Sequence, residues 1–267
     1  MEAQALLGLL PLALLALGGL LLWRRLEGGL VALPPGSTLT HGWALAAAAW
    51  LGSNLASVAV LVALGWQEGT ELPLALLMGV RAATMSAAVV ALLALVAWRH
   101  GTLAPLGLAP RAGPPAVLLG LAAWLMVFPA VLAVGWFNRW LLEVLGLEAG
   151  LQEALLRFLE EPEARRSVMG WLSMAVVLPV CEEVLFRGGL HGSLRRVLPV
   201  PAAILVSGGL FGLAHDAQAA LPAAALGVAL GWLYERSGRL SVPIAFHVLH
   251  NGLTLAMVAG IPELAQP

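Results

Sequence analysis

The chain has no lysine and only one cysteine, one tyrosine and one aspartate, and these scarcities narrow what it can be. The single thiol, Cys181, excludes an internal disulfide, a thiolate zinc cluster and a CxxC redox pair. Set in an apolar run, its expected role is packing rather than nucleophilic attack. All 14 cations are arginine, and against 15 acids they leave a net charge of −1. Nucleic-acid binding needs a basic surplus, so that class is set aside. Charged residues make up 11% of the chain, where a soluble domain carries about a quarter. Hydrophobic residues make up 60%, and the mean hydropathy is +0.91. Together these describe an integral membrane protein.

Apolar runs of about 20 residues, enough to cross roughly 30 Å of hydrocarbon, recur along the chain. Eight candidate spans stand at about 4–23, 42–66, 73–98, 115–138, 168–190, 201–215, 219–234 and 240–259. The fold class is therefore all-α and polytopic, with about eight transmembrane helices. Trp23, Trp43, Trp66, Trp98 and Trp136 fall near span ends, where an interfacial aromatic belt is expected. Met1-Glu2-Ala3-Gln4 lacks the positive head of a signal peptide, and Arg24 and Arg25 come after the first run, so that run is expected to be retained as a span.

The domain reading is 1–138 for the N-terminal helices, 139–167 for an amphipathic surface segment, and 168–259 for the core that carries chemistry. In the middle segment, glutamates and arginines from Arg139 to Arg166 alternate with leucines, as in one or two helices lying on the membrane surface. Odd-numbered loops hold Arg24, Arg25, Arg99, Arg111, Arg195, Arg196, Arg236 and Arg239, whereas the fourth loop holds four arginines. The positive-inside rule then places both termini outside the cell membrane. Gly208/Gly212 and Gly227/Gly231 have the spacing that lets two helices pack closely.

Three polar clusters interrupt the last four spans: Glu182/Glu183/Arg187, Phe211 to Asp216, and His247/His250/Asn251. Ionised groups in hydrocarbon are costly unless paired or facing water, so they point to function. Residues four apart share a helix face, which lets Glu183 pair with Arg187 and lets His247 and Asn251 address one point. Glu182 diverges by about 100° and is free to face another helix. Counting from the turn at Pro199, Glu182 and His215 fall at nearly the same depth of a helical hairpin and are expected to meet. A carboxylate and an imidazole so placed could deprotonate a water, with His247 and Asn251 as donors to an oxyanion.

Plainer roles are expected of the other polar and aromatic residues. Phe211 is expected to pack, His250 to be a satisfied interior histidine, Arg81 to pair with another helix, and His41, His100 and His191 to sit at the interface. Asp216 either orients His215 or ends its helix. No GxSxG is present, and neither Ser173 nor Ser207 has a neighbouring motif to activate it.

The patterns EExxxR (Glu182 to Arg187), FxxxH (Phe211 to His215) and HxxxN (His247 to Asn251), in this order on late spans, resemble the CPBP family of intramembrane proteases, which includes the CAAX prenyl endopeptidases. The resemblance covers about a third of the chain. It implies an intramembrane endopeptidase in which Glu182 activates water with His215 as partner, His247 and Asn251 polarise the scissile carbonyl, and Glu183 and Arg187 support the site. It further implies a peptide or membrane-protein substrate, lipidated in some relatives, met within the lipid bilayer. Whether His215, His247 and Glu182 hold zinc or only a water stays open, since there is no HExxH. The alternative is a non-catalytic membrane scaffold or immunity-type factor that keeps the polar residues. A transporter would call for an inverted repeat, and none is visible.

Overall fold

The computed structural model describes residues 2–29, 38–67, 71–108 and 113–260, with side chains from residue 12 onward; Arg111 lies outside the described residues. These residues form helices and no strand. We label them α1 (Glu2–Leu26), α2 (Gly42–Ala63), α3 (Leu74–His100), α4 (Ala116–Val144), α5 (Glu153–Glu160) and α6 (Pro162–Arg166). α7 (Val168–Leu194) is one long helix, and α8 (Val200–Leu213), α9 (Ala220–Ser237) and α10 (Ser241–Gly260) complete the chain. The fold is all-α and polytopic.

Each expected span coincides with one helix, but among the described residues five, α2, α3, α4, α7 and α10, are long and apolar enough to cross a membrane. α8 is apolar but has only 14 residues. α9 ends in a charged turn that carries Glu235 and Arg236. The amphipathic segment divides into the last turns of α4 and the short helices α5 and α6, with Phe158 and Leu159 of α5 buried.

The loops sort into two poles. At one, Arg236 bonds Glu27 at 3.1 Å, Arg239 donates to the Pro114 carbonyl at 3.0 Å, and Arg196 donates to that of Thr38 at 2.8 Å. At the other, Asn138 donates to the Ala217 carbonyl at 3.1 Å, and the Leu74 amide donates to Glu161 at 2.8 Å. Odd-numbered loops therefore meet at one end and even-numbered loops at the other, as alternating spans require.

Apolar packing surrounds α7 on two sides. Met78, Met85 and Val89 of α3 join Val184 and Leu185 in one cluster, while Leu119, Phe128, Leu230 and Phe246 of α4, α9 and α10 form a second. α8 and α9 touch through glycine: a Cβ on Gly208 would stand 2.8 Å from the Val228 amide, and one on Gly212 would stand 2.4 Å from the Ala220 carbonyl. Such distances are closer than side chains tolerate, so the expected close approach holds at these two residues. Trp23 departs from the aromatic belt: it is 2% exposed, packs on Trp232, and donates to Glu27 at 3.0 Å. Trp43, Trp98 and Trp136 are exposed as the belt requires.

Candidate active site

α7 carries the charged motif, and its backbone departs from α-helical geometry twice, with wider five-residue turns at Ser173–Val177 and Val184–His191. The first departure has a local cause. Pro179 has no amide hydrogen and would press on the carbonyl four residues back, so the helix widens ahead of it. The Leu178 amide then bonds the Ser173 carbonyl, five residues back. The Met174 carbonyl loses Leu178 as its donor, and Pro179 cannot replace it. Asn251 of α10 fills that place, its Nδ2 donating to Met174 O at 3.1 Å. The spacing of Asn251 from His247 aims it at a reacting carbonyl; instead one of its donors locks α10 to the widened turn of α7.

One face of α7 holds the expected ion pair, with Arg187 Nη1 donating to Glu183 Oε1 at 3.0 Å and both side chains fully buried. Arg187 Nη2 also donates to the Gly227 carbonyl at 3.0 Å, and its guanidinium lies over the Phe211 ring at 4.7 Å. Glu183 does more than pair with arginine. Its Oε1 accepts His247 Nδ1 at 2.9 Å, which fixes the neutral imidazole with its proton on Nδ1 and its lone pair on Nε2. That Nε2 faces Glu182 Oε2 at 3.8 Å. The imidazole thus lies between the two adjacent glutamates. The Glu182 side chain is 16% exposed while that of Glu183 is sealed. A separation of 3.8 Å is too long for a direct bond and leaves both atoms free to hold one water beside them.

Glu182 and His215 form no direct ion pair within 4.0 Å among the described residues. His215 lies just past the end of α8 and donates Nδ1–H to the Phe211 carbonyl at 2.8 Å. His215 and His247 instead share a neighbour, Phe211, with ring centroids at 4.8 Å and 5.7 Å from it. Phe211 packs as expected, but it packs among the site's own groups. Asp216 serves the chain turn, its Oδ1 accepting the Ala219 amide at 3.0 Å and its Oδ2 that of Glu153 at 3.3 Å.

Residues 164–253 match the family profile described as type II CAAX prenyl endopeptidase Rce1-like. A Bacillus subtilis (strain 168) protein named "Putative membrane peptidase YdiL" is 33% identical over 84 residues. This alignment covers 31% of the present chain and 34% of the relative, so the chain spans about a third of that protein's length. Over residues 164–253 the chain is similar to the CPBP family of proteases. No solved structure matches the chain.

Within the matched segment, no three His, Cys, Asp or Glu side chains among the described residues stand together closely enough to hold an ion. Of the implied ligands, His247 and His215 each donate Nδ1–H, to Glu183 and to the Phe211 carbonyl, as a metal-binding histidine commonly does, and each keeps its Nε2 lone pair. Cys181, beside Glu182, is buried with its sulfur 3.7 Å from Ser86 Oγ.

Three polar residues of plain expectation are placed otherwise. His191 is wholly buried, one turn beyond Arg187, where Nε2 meets Glu235 Oε1 at 2.9 Å and Nδ1 meets Ser207 Oγ at 2.9 Å. Arg195 also bonds Glu235. The run 183, 187, 191, 195 is a strict four-residue repeat of polar side chains, and continuing the Glu183/Arg187 spacing would have revealed it. His250 is not satisfied, because its shielded Nδ1 has no partner among the described residues. Arg81 is half-buried.

Proposed function

We propose that the chain is an intramembrane endopeptidase in which Glu182 activates the attacking water. One observation carries this reading: of two adjacent carboxylates facing one imidazole, only Glu182 is partly exposed, while Glu183 is sealed by Arg187 and holds the ring. A water held beside Glu182 Oε2 and His247 Nε2 can give its proton to the carboxylate as its oxygen attacks the peptide carbonyl carbon. The carbonyl's π pair moves onto its oxygen. On collapse the C–N bond breaks, and Glu182 returns the proton to the leaving nitrogen.

Glu183 and Arg187 keep His247 in one tautomer and orientation, the task a buried carboxylate performs for a hydrolytic histidine. His215 donates Nδ1–H to the Phe211 carbonyl, so its Nε2 is an acceptor in the neutral ring and can meet a substrate carbonyl oxygen only as an imidazolium. Asn251 sets the spacing of α10 against α7 and keeps one amide hydrogen for a ligand.

Cleavage of fluorogenic peptides by purified protein in detergent, with and without a C-terminal lipid, tests the reading. Turnover that Glu182→Gln abolishes is expected, and absence of turnover on both substrate sets would leave a polar scaffold instead. Because a water held by Glu182 needs no ion, protein stripped of metal and checked by elemental analysis is expected to keep its rate. Loss of rate on stripping, restored by zinc, would reinstate the metallopeptidase reading.

A further inference from the structure

Beside the site, on the face of α10 turned to α4, lies a second polar feature with no part in the chemistry above. α4 and α10 both start at the odd-loop pole and run side by side. A Cβ on Gly120 would stand 2.8 Å from the Phe246 amide, which fixes their register. One turn on, Trp124 reaches the level of His250, and two turns on, Phe128 reaches that of Thr254. The rings agree with this: Trp124 stacks on Phe128 with centroids 4.6 Å apart, and Phe128 lies 6.3 Å from His250.

Three polar atoms here are shielded and have no partner among the described residues: Trp124 Nε1, His250 Nδ1 and Thr254 Oγ1. His250 and Thr254 are four apart and share a helix face, so one small molecule can reach both. A single shielded orphan can be tolerated, but three in one place, each costly if dry, call for a common occupant. The set supplies an indole donor, an imidazole nitrogen and a hydroxyl that both gives and accepts, which are the partners a buried water needs.

We infer that Trp124, His250 and Thr254 bound a hydration site between α4 and α10, and, resting on the endopeptidase reading, that it supplies the hydrolytic water. Each cleavage consumes one water within hydrocarbon, where the bulk supply is remote. His250 is three residues from His247 on the same helix, so water held at the first imidazole adjoins the second and the gap to Glu182.

Thr254→Val tests this, because it keeps the shape and removes only the hydroxyl. In full-length protein with ¹⁵N-labelled histidine, the His250 ring signals, assigned by their loss in His250→Phe, are expected to shift when the shared water goes. The thermal midpoint should not rise, and turnover should fall about three- to tenfold, the worth of one hydrogen bond, with KM unchanged. A dry pocket predicts the reverse, with unmoved His250 signals and a higher midpoint once an unpaired hydroxyl is gone, and that result overturns the site. Shifted signals with undiminished turnover overturn its role as a supply. The signals and midpoint are read without cleavage, so a hydrated pocket in a protein that never cleaves counts against the endopeptidase reading alone.

Discussion

α7 carries two buried polar networks two turns apart, built from similar parts. Glu183, Arg187 and His247 form one; Glu235, Arg195, His191 and Ser207 form the other. In each, a histidine is held by a glutamate that also meets an arginine. The second is closed: both ring nitrogens of His191 are bonded and its side chain is wholly buried. The first is open. His247 Nε2 is left facing a partly exposed carboxylate across 3.8 Å, and Glu183 Oε2 and Arg187 Nε lack partners among the described residues. A satisfied network fixes structure, whereas one with an unspent lone pair beside a partly exposed base can act on a substrate.

Variants can break that contrast. The largest effect is expected for Glu182→Gln, which removes the base and should lower turnover about 10²–10⁴-fold, with a thermal midpoint close to the parent's. Peptide cleavage at the parental rate would strip Glu182 of its role. Glu183→Gln should fail in two ways at once. Stranding Arg187 costs about 3–5 kcal/mol of stability, and the His247 tautomer loses its anchor, so denaturant unfolding and turnover should both drop. If the protein proves stable but dead, Glu183 rather than Glu182 is the base.

The closed network should answer only in stability. His191→Phe leaves Ser207 and Glu235 each short of a bond and is expected to cost about 1–3 kcal/mol, while kcat of the folded fraction holds. A kcat loss matching that of Glu182→Gln would erase the distinction between the networks. Asn251→Ala should be the mildest, near 1 kcal/mol for the bond to the Met174 carbonyl. Its diagnostic sign is a loss of stability accompanying any loss of rate, since the amide anchors α10 to α7.

Legible in the sequence is whatever helical geometry fixes locally. The Glu183/Arg187 pair comes from four-residue spacing, the α8/α9 contact from Gly208 and Gly212, and the alternation of loops from counting spans. The approach of His247 to Glu182 is not legible. Matching depths on either side of Pro199 requires two straight α-helices, but α7 widens twice. Each wide turn rotates the residues beyond it, and the face presented to a third helix is then set by packing. The role of Asn251 is hidden for a related reason, because its partner carbonyl becomes available only where Pro179 and the wide turn leave Met174 unbonded. His191 looks interfacial if the span ends at 190, whereas α7 continues to Leu194 and α9 brings Glu235 alongside.

The brevity of α8 bears on the bilayer itself. Its 14 residues rise only about 21 Å, yet Leu205, Leu210 and Leu213 lie open on its outer face. Around this helix the hydrocarbon, ordinarily about 30 Å deep, would have to thin to match that face, at fractions of a kcal/mol for each ångström. Lipid dents most easily where the helix stops, and His215 stands just beyond that point. Such thinning would draw the membrane surface toward His215, so the proposed endopeptidase should respond to acyl-chain length.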